Sequence, residues 1–229
     1  MSSENKFLIG IGIITFVLII GGVFFFSRGD NNQAPQQDKN FDQTQLTQDA
    51  KHAKGTVGAQ ITIVEFADLQ CPACQAAQPI MNQALEKYHQ NIYFVFRHYP
   101  LTNHKNSETA AKATEAAGAQ GKFFEMVDLV YADQKEWEQD ANPKGDFRKF
   151  ATQLGLNLDQ FNQDMEKNWD NIKSDFALGA RANVQSTPTF FINGQMYPGV
   201  IQSQKLDSII QTLLPKDKES TNTPQTSTQ

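Results

Sequence analysis

The chain has 229 residues, a formal net charge of −5 at pH 7 and a pI near 5.4. That length suffices for one well-packed domain with appended segments, and the acidic balance with scattered lysines and arginines argues against a nucleic-acid partner. The only two cysteines are Cys71 and Cys74. A disulfide between residues so close in sequence adds little stability, so the pair predicts chemistry and not a structural crosslink.

The N-terminus has the pattern of a membrane anchor. Residues 7–26 contain no charged side chain, and a helix of that length spans a hydrocarbon core of about 30 Å. The run ends without a small-residue cleavage pattern, which favours a retained anchor over the alternative of a cleaved signal peptide. We therefore predict a cytoplasmic leader at 1–6 and a single-pass helix at 7–26 in the cell membrane. The short leader and the cysteine chemistry favour a domain on the extracytoplasmic side.

Polar segments flank the predicted folded part. Residues 27–54 have few apolar side chains and no sustained period, which predicts a flexible linker. Residues 216–229 are rich in Ser, Thr and Gln, and we expect a disordered tail there. The folded domain is predicted to span residues 55–215.

The first half of this domain is predicted to contain a strand, a helix and a second strand, in that order. Residues 61–67 and 92–96 are apolar on both faces, as central buried strands are. Between them, apolar residues recur at helical spacing from Ala73 to Tyr88. Pro79 is expected to kink this helix.

A helical block is predicted next, as an insertion over about residues 104–184. Its five helical segments are 107–119, 122–131, 147–154, 158–165 and 172–181. A strand at 189–192, a hairpin turn at Asn193–Gly194, a strand at 195–197 and a helix at 203–214 follow. This order predicts an α/β fold similar to a thioredoxin core, a central mixed sheet flanked by helices, split by an α-helical insertion.

The cysteine pair directly follows a predicted strand and begins a predicted helix. The helix N-terminus offers unpaired N–H groups and a partial positive charge, which stabilise a thiolate at Cys71. Pro72 suits the first turn because its missing N–H costs no hydrogen bond there. Cys74, one turn further on, is placed to resolve a mixed disulfide, so a redox-active Cys71–Cys74 disulfide is predicted.

Half of a zinc site is the alternative for the same pair. Structural zinc needs four ligands. The remaining candidates are His52, His89, His98 and His104, which lie on a predicted linker, a helix end and a loop without zinc-ligand spacing. No metal and no other cofactor is therefore expected.

Glu65 lies inside the apolar strand, six residues before Cys71. A buried, unpaired carboxylate tends to have a raised pKa and to exchange protons near neutral pH. We therefore interpret Glu65 as the group that exchanges a proton with Cys74. The alternative is a solvated, salt-bridged glutamate at the end of a strand.

Four separated motifs carry a family resemblance. They are residues 64–74 (VEFADLQCPAC), 96–101 (FRHYPL) with His104, 120–124 (QGKFF) and 187–190 (TPTF). In this order they resemble DsbA-like thiol–disulfide oxidoreductases, closest to the membrane-anchored kind of Gram-positive bacteria. The resemblance covers about residues 55–214. It implies a cis peptide bond at Pro188 facing the cysteines, and a Thr187 that presents backbone groups to a bound substrate strand.

The resemblance implies a monomeric oxidase that donates its disulfide to exported protein thiols and is reoxidised by a quinone-linked membrane oxidase. Strongly oxidising relatives often have Pro-His between the cysteines, whereas this chain has Pro72-Ala73, so no imidazole stabilises the thiolate. A reductase or isomerase at the same site is therefore a second hypothesis. A third is a surface-tethered, chaperone-like binding module that holds clients beside Pro188.

Overall fold

The computed structural model describes residues 42–215. The predicted leader at 1–6, the membrane helix at 7–26, most of the linker and the tail at 216–229 lie outside the described residues. Within residues 42–215, no helix is long and apolar enough to cross a membrane.

The described chain alternates strands and helices around one sheet. Its strands are β1 (His52–Gly55), β2 (Ile61–Ala67), β3 (Ile92–His98), β4 (Thr189–Ile192) and β5 (Gln195–Pro198). Its helices are α1 (Gln43–Thr47), α2 (Pro72–Lys87), α3 (Ser107–Gly118), α4 (Phe123–Ala132), α5 (Gln134–Trp137), α6 (Lys144–Gln153), α7 (Leu158–Met165), α8 (Asp170–Arg181) and α9 (Ser203–Leu213).

The five strands form a mixed sheet in the order β1-β3-β2-β4-β5. β2 pairs in parallel with β3 and antiparallel with β4, while β1 and β5 are antiparallel edge strands. Every residue of β2 is buried, because this strand has a partner on each side and helices on each face. The predicted mixed sheet flanked by helices is confirmed, and helices α3 to α8 form the insertion between β3 and β4.

Alternation along β2 divides the core into two parts. Ile61, Ile63 and Ala67 face a large core that also contains both cysteines and much of the insertion. Val64 and Phe66 face a smaller core on the opposite side of the sheet, against α8 and Leu46 of α1.

The predicted linker ends too late, because part of it belongs to the fold. Leu46 of α1 is fully buried, and its carbonyl oxygen accepts hydrogen bonds from Nε and Nη2 of Arg97 at 3.2 and 2.9 Å. β1 pairs with β3 through the register His52 to Phe96. A five-residue helix and a four-residue edge strand are too short to produce a hydrophobic period, so composition alone suggested a linker.

Smaller differences concern helix bounds. α5 was not predicted, and α6 begins at Lys144, three residues before the apolar pattern starts. α2 continues through Pro79 from Pro72 to Lys87 as one helix.

Helix α8 packs unusually close to the sheet at Gly179. A Cβ atom there would lie 2.6 Å from Cε2 of Tyr99 and 2.9 Å from Cδ1 of Phe66. The glycine therefore permits contact between the helix backbone and two aromatic rings of the smaller core.

Candidate active site around the cysteine pair

The loop between β2 and α2 carries the two cysteines. β2 ends at Ala67, and Cys71 is the N-cap residue of α2 with extended backbone angles. Pro72 occupies the first helical position, where its missing N–H costs no hydrogen bond. The Cys71 side chain makes no capping hydrogen bond, but the backbone N–H groups of Ala73 and Cys74 in the first turn favour a thiolate there.

The Cys71 thiol is strongly acidic. Its pKa is lowered from 9.0 to about 5, chiefly by a hydrogen bond from the Cys74 thiol. Burial opposes this shift, while a side-chain hydrogen bond from Thr187 and the backbone N–H groups of Cys74 and Ala73 add to it. The helix N-terminus, from which the sequence predicted the acidity, is thus one cause among several, and the second sulfur is the largest.

Cys74 is fully buried one turn further along α2. Burial raises the pKa of its thiol well above 9.0, and the negative charges of Cys71 and Glu65 raise it further. The backbone N–H of Asp68 donates to its Sγ at 3.5 Å. At neutral pH the reduced pair is therefore one thiolate, at Cys71, and one thiol, at Cys74; both cysteines are free in this structure.

Glu65 lies on the face of β2 that packs against the cysteines. Its alternation with Ile63 and Ala67 places it in the larger core, and it is 1% exposed. Burial raises the pKa of its carboxyl group to about 8. Among residues 42–215 it forms no ion pair, and its Oε2 has no hydrogen-bond partner. This is the buried, unpaired environment from which proton exchange was inferred, and the catalytic role itself stays a prediction.

The loop before β4 brings Thr187 and Pro188 to the cysteines. The Thr187–Pro188 peptide bond is cis, as the resemblance implies. As a thiol, Sγ of Cys71 donates to the carbonyl oxygen of Thr187 at 3.3 Å, across 116 residues of chain. With Cys71 as a thiol, the buried Thr187 hydroxyl has no hydrogen-bond partner among the described residues. It is therefore available to donate to Sγ when Cys71 is a thiolate, which is one of the contacts that lower the Cys71 pKa.

The structure therefore gathers the five sequence-predicted site residues around one thiolate. Of the side-chain atoms described, two are buried without a hydrogen-bond partner, and they belong to Glu65 and Thr187. Such orphaned polar atoms are rare in native structures. Their positions beside the cysteine pair suit two tasks: Glu65 can exchange a proton, and the Thr187 hydroxyl can donate a hydrogen bond to a thiolate.

Asp68 organises the loop and was not singled out from the sequence. Its carboxylate accepts hydrogen bonds from the backbone N–H groups of Gln70 and Leu101, both at 2.8 Å. It also accepts from Nδ1 of His104 at 2.7 Å and from the Ser107 hydroxyl at 2.6 Å. Asp68 lies within the quoted motif, but three of its four donors belong to residues 101–107, more than thirty residues further along the chain.

The insertion supplies two further contacts to this loop. The Tyr131 hydroxyl donates to the carbonyl oxygen of Asp68 at 3.3 Å. The side-chain amide of Gln134 donates to the carbonyl oxygens of Leu69 and Cys71 at 2.9 and 3.3 Å. No sequence signal marks Tyr131 or Gln134, which follow the motif by about sixty residues.

The histidines do not complete a zinc site with the cysteines. Within residues 42–215, the one group of three or more His, Cys, Asp or Glu side chains with metal-ligand proximity is His52, His98 and Glu115. His52 lies in β1 and His98 at the end of β3, not on a linker and a loop as predicted.

Comparison with known proteins identifies the family. A family model described as Thioredoxin matches residues 47–212. The Na(+)/H(+) antiporter NhaA 3 of Salinispora tropica is 35% identical over 165 residues, which are 71% of this chain and 24% of that relative. The chain thus spans about a quarter of the length of this curated relative, and antiport is named for the relative alone.

Solved structures share the fold. A thioredoxin-like oxidoreductase from Silicibacter pomeroyi superposes with a TM-score of 0.64 and 26% identity, over 75% of this chain and 97% of the other. BdbD from Bacillus subtilis superposes with a TM-score of 0.63 and 21% identity, over 70% and 91% of the two chains. With a cis-proline beside an acidic N-cap cysteine on this fold, the chain belongs to the thioredoxin family.

Proposed function

We propose that this protein is an extracytoplasmic oxidase that introduces disulfides into exported proteins through its Cys-Pro-Ala-Cys pair. The observation that supports the oxidising direction is the low pKa of the Cys71 thiol, about 5, next to a Cys74 thiol whose pKa is raised. A disulfide is a strong oxidant when its reduced form is preferentially stabilised. A thiolate held by the Cys74 thiol, by Thr187 and by the helix N-terminus stabilises the reduced form.

In the proposed reaction a substrate thiolate attacks Sγ of Cys71 in the oxidised chain. The Cys71–Cys74 bond breaks, a mixed disulfide forms at Cys71, and Cys74 leaves as a thiolate that takes a proton from Glu65. A second substrate thiolate then attacks the substrate sulfur of the mixed disulfide. The substrate departs with a new disulfide, and Cys71 is left as a stable thiolate.

Two groups outside this exchange complete the proposal. The substrate strand pairs with the backbone at Thr187, beside the cis-proline. A quinone-linked membrane oxidase accepts two electrons from the reduced pair, and the predicted helix at 7–26 would keep the monomeric chain beside it in the cell membrane.

The reduction potential tests the direction of electron flow. The purified chain is equilibrated in glutathione buffers of graded potential, and the fraction of reduced cysteines is read by alkylation. We expect a potential clearly more oxidising than the value of about −270 mV typical of thioredoxin. A value at or below that figure would instead support the reductase.

Labelling in intact cells tests the location and the exchange. A membrane-impermeant thiol reagent should modify Cys71 after mild reduction, and the Cys74→Ala variant should accumulate mixed disulfides with exported proteins. Cys71→Ser should trap none and lose activity. A fully active Cys71→Ser variant would favour the chaperone-like binding module.

A further inference from the structure

A second cluster of reactive side chains lies where the sheet meets the insertion. Nε2 of His52, on β1, is 2.7 Å from Oε1 of Glu115, on α3. Nε2 of His98, at the end of β3, is 2.9 Å from the same oxygen. The three potential ligand atoms all lie within 4.8 Å of one another. We propose that His52, His98 and Glu115 form a binding site for a divalent transition-metal ion, with Zn²⁺ as the leading candidate.

The donor set is the one that such ions prefer. Two imidazole nitrogens and one carboxylate oxygen are ligands typical of Zn²⁺, with a water in the fourth position. Around a tetrahedral ion with bonds of about 2.0–2.1 Å, neighbouring ligand atoms stand roughly 3.3 Å apart. The observed separations of 2.7 and 2.9 Å therefore need to widen by only a few tenths of an ångström.

Surrounding rings already hold the two imidazoles in place. The His52 ring stacks on Phe123 with 3.3 Å between centroids and 3° between planes. The His98 ring makes edge contacts with Phe96 and Phe123, at 5.2 and 5.6 Å. At Gly118 a Cβ atom would lie 3.2 Å from Cε1 of His52, so the glycine leaves room for the stacked ring.

The carboxylate also has an outer partner. The Asn171 side-chain amide, on α8, donates to Oε1 of Glu115 at 2.6 Å. Hydrogen bonds of this kind orient a metal-ligating carboxylate. Since the ligands come from β1, β3 and the insertion, an ion would crosslink the sheet to the inserted helices. His98 and Glu115 are buried, while the His52 side chain is 12% exposed and marks the route of entry.

The same distances also fit an arrangement without a metal ion, in which Glu115 accepts three hydrogen bonds. The test uses the full chain in its oxidised state, because the disulfide prevents Cys71 and Cys74 from binding metal. After chelator treatment and its removal, ZnCl₂ is titrated calorimetrically, and thermal unfolding is measured with and without Zn²⁺. We expect one ion per chain and a rise in Tm of at least about 3 °C at tenfold excess metal.

Variants locate the site. His52→Phe keeps an aromatic ring on Phe123 but removes one ligand, and Glu115→Gln keeps the shape but removes the charge. Both should abolish the titration heat and the Zn²⁺-dependent rise in Tm, whereas His89→Ala, at an exposed histidine outside the cluster, should retain both. No Zn²⁺ binding to the oxidised wild-type chain, or binding that survives in both cluster variants, overturns the proposal.

Discussion

The two cysteines have identical side chains, but their surroundings give the two thiols very different pKa values. Cys71 is the N-cap of α2, next to Thr187, whereas Cys74 points into a core that also holds Glu65. The consequence is a pKa near 5 for the first thiol and a pKa above 9 for the second. The thiolate of the reduced pair therefore stays at Cys71 and not at the more deeply buried Cys74.

Removing the second thiol should make the first less acidic. The hydrogen bond from Cys74 is the largest cause of the low Cys71 pKa, so Cys74→Ala should raise that pKa above the value of about 5 in the wild-type chain. The pH dependence of alkylation of Cys71 in the reduced protein measures both values. An unchanged midpoint in Cys74→Ala would mean that the helix N-terminus and Thr187 account for the acidity.

Glu65→Gln should slow thiol–disulfide exchange and change how stability depends on pH. Burial raises the Glu65 pKa from 4.5 to about 8, so the folded wild-type chain loses stability as pH rises from 4.5 through 8. The variant lacks this loss and should be the more stable protein at pH 9. Urea unfolding at pH 5 and 9 and exchange rates across that range provide the measurements.

Glu86 is an exposed residue of α2, and Glu86→Gln is the matched control for this substitution. It should change neither the exchange rate nor the pH dependence of stability. An exchange rate for Glu65→Gln that equals the wild-type rate throughout the range would remove Glu65 from the mechanism.

The sequence predicted the parts of the site that are local or that a motif marks. Cys71, Cys74 and Glu65 stand on one strand and the helix that follows it, and Thr187–Pro188 carries its own signal. Tyr131 was not predictable, because a hydroxyl that reaches a carbonyl oxygen 63 residues away leaves no periodic trace. The His98–Glu115 pair likewise depends on how α3 packs against β3.

At the scale of elements, periodicity was informative wherever a segment was long. The central strands and the helices of the insertion follow their hydrophobic patterns, because each buries a face against a large core. Hydrophobic periodicity did not predict α1 and β1. Each depends on tertiary contacts, such as those of Leu46 in the smaller core and the pairing of β1 with β3.

The contact of α8 with the sheet predicts an unfavourable Gly179→Ala substitution. Alanine in a helix is favoured over glycine by up to about 1 kcal/mol, but a methyl group 2.6 Å from the Tyr99 ring forces repacking that costs about 1–3 kcal/mol. We expect a lower Tm in thermal unfolding.

Gly145→Ala on α6 is the control, because a Cβ there meets no described atom within 4 Å and should keep or raise the Tm. Equal Tm values for the two alanine variants would show that the helix can shift without cost.

For the whole molecule, the acidity of one thiol links the redox state to folding. The Cys71 pKa is about 5 in the folded reduced chain and near 9 when unfolded. Because this folded pKa is lowered, the stabilisation is complete above the unfolded pKa and is lost as pH falls through the folded pKa. The oxidised chain has no thiol and no such dependence.

The reduced chain should therefore gain stability over the oxidised chain as pH rises from 5 to 8. The thiolate contributes on the order of 4 kcal/mol at pH 8, and the raised Cys74 pKa does not interfere below pH 9. Urea unfolding of both forms at several pH values measures the difference. A difference independent of pH would contradict the thiolate assignment.

The hydrogen bonds from the insertion to the cysteine loop limit how far this protein can be miniaturised. Deleting residues 104–184 to obtain a smaller redox module would remove the Gln134 amide from the Leu69 and Cys71 carbonyl groups, and the Tyr131 hydroxyl from that of Asp68. The three carbonyl groups would then bond to water, and the loop would lose the contacts that fix its backbone beside the cysteines. A shortened chain would need a redesigned loop, and a transplanted insertion would have to bring an amide and a hydroxyl to the same places.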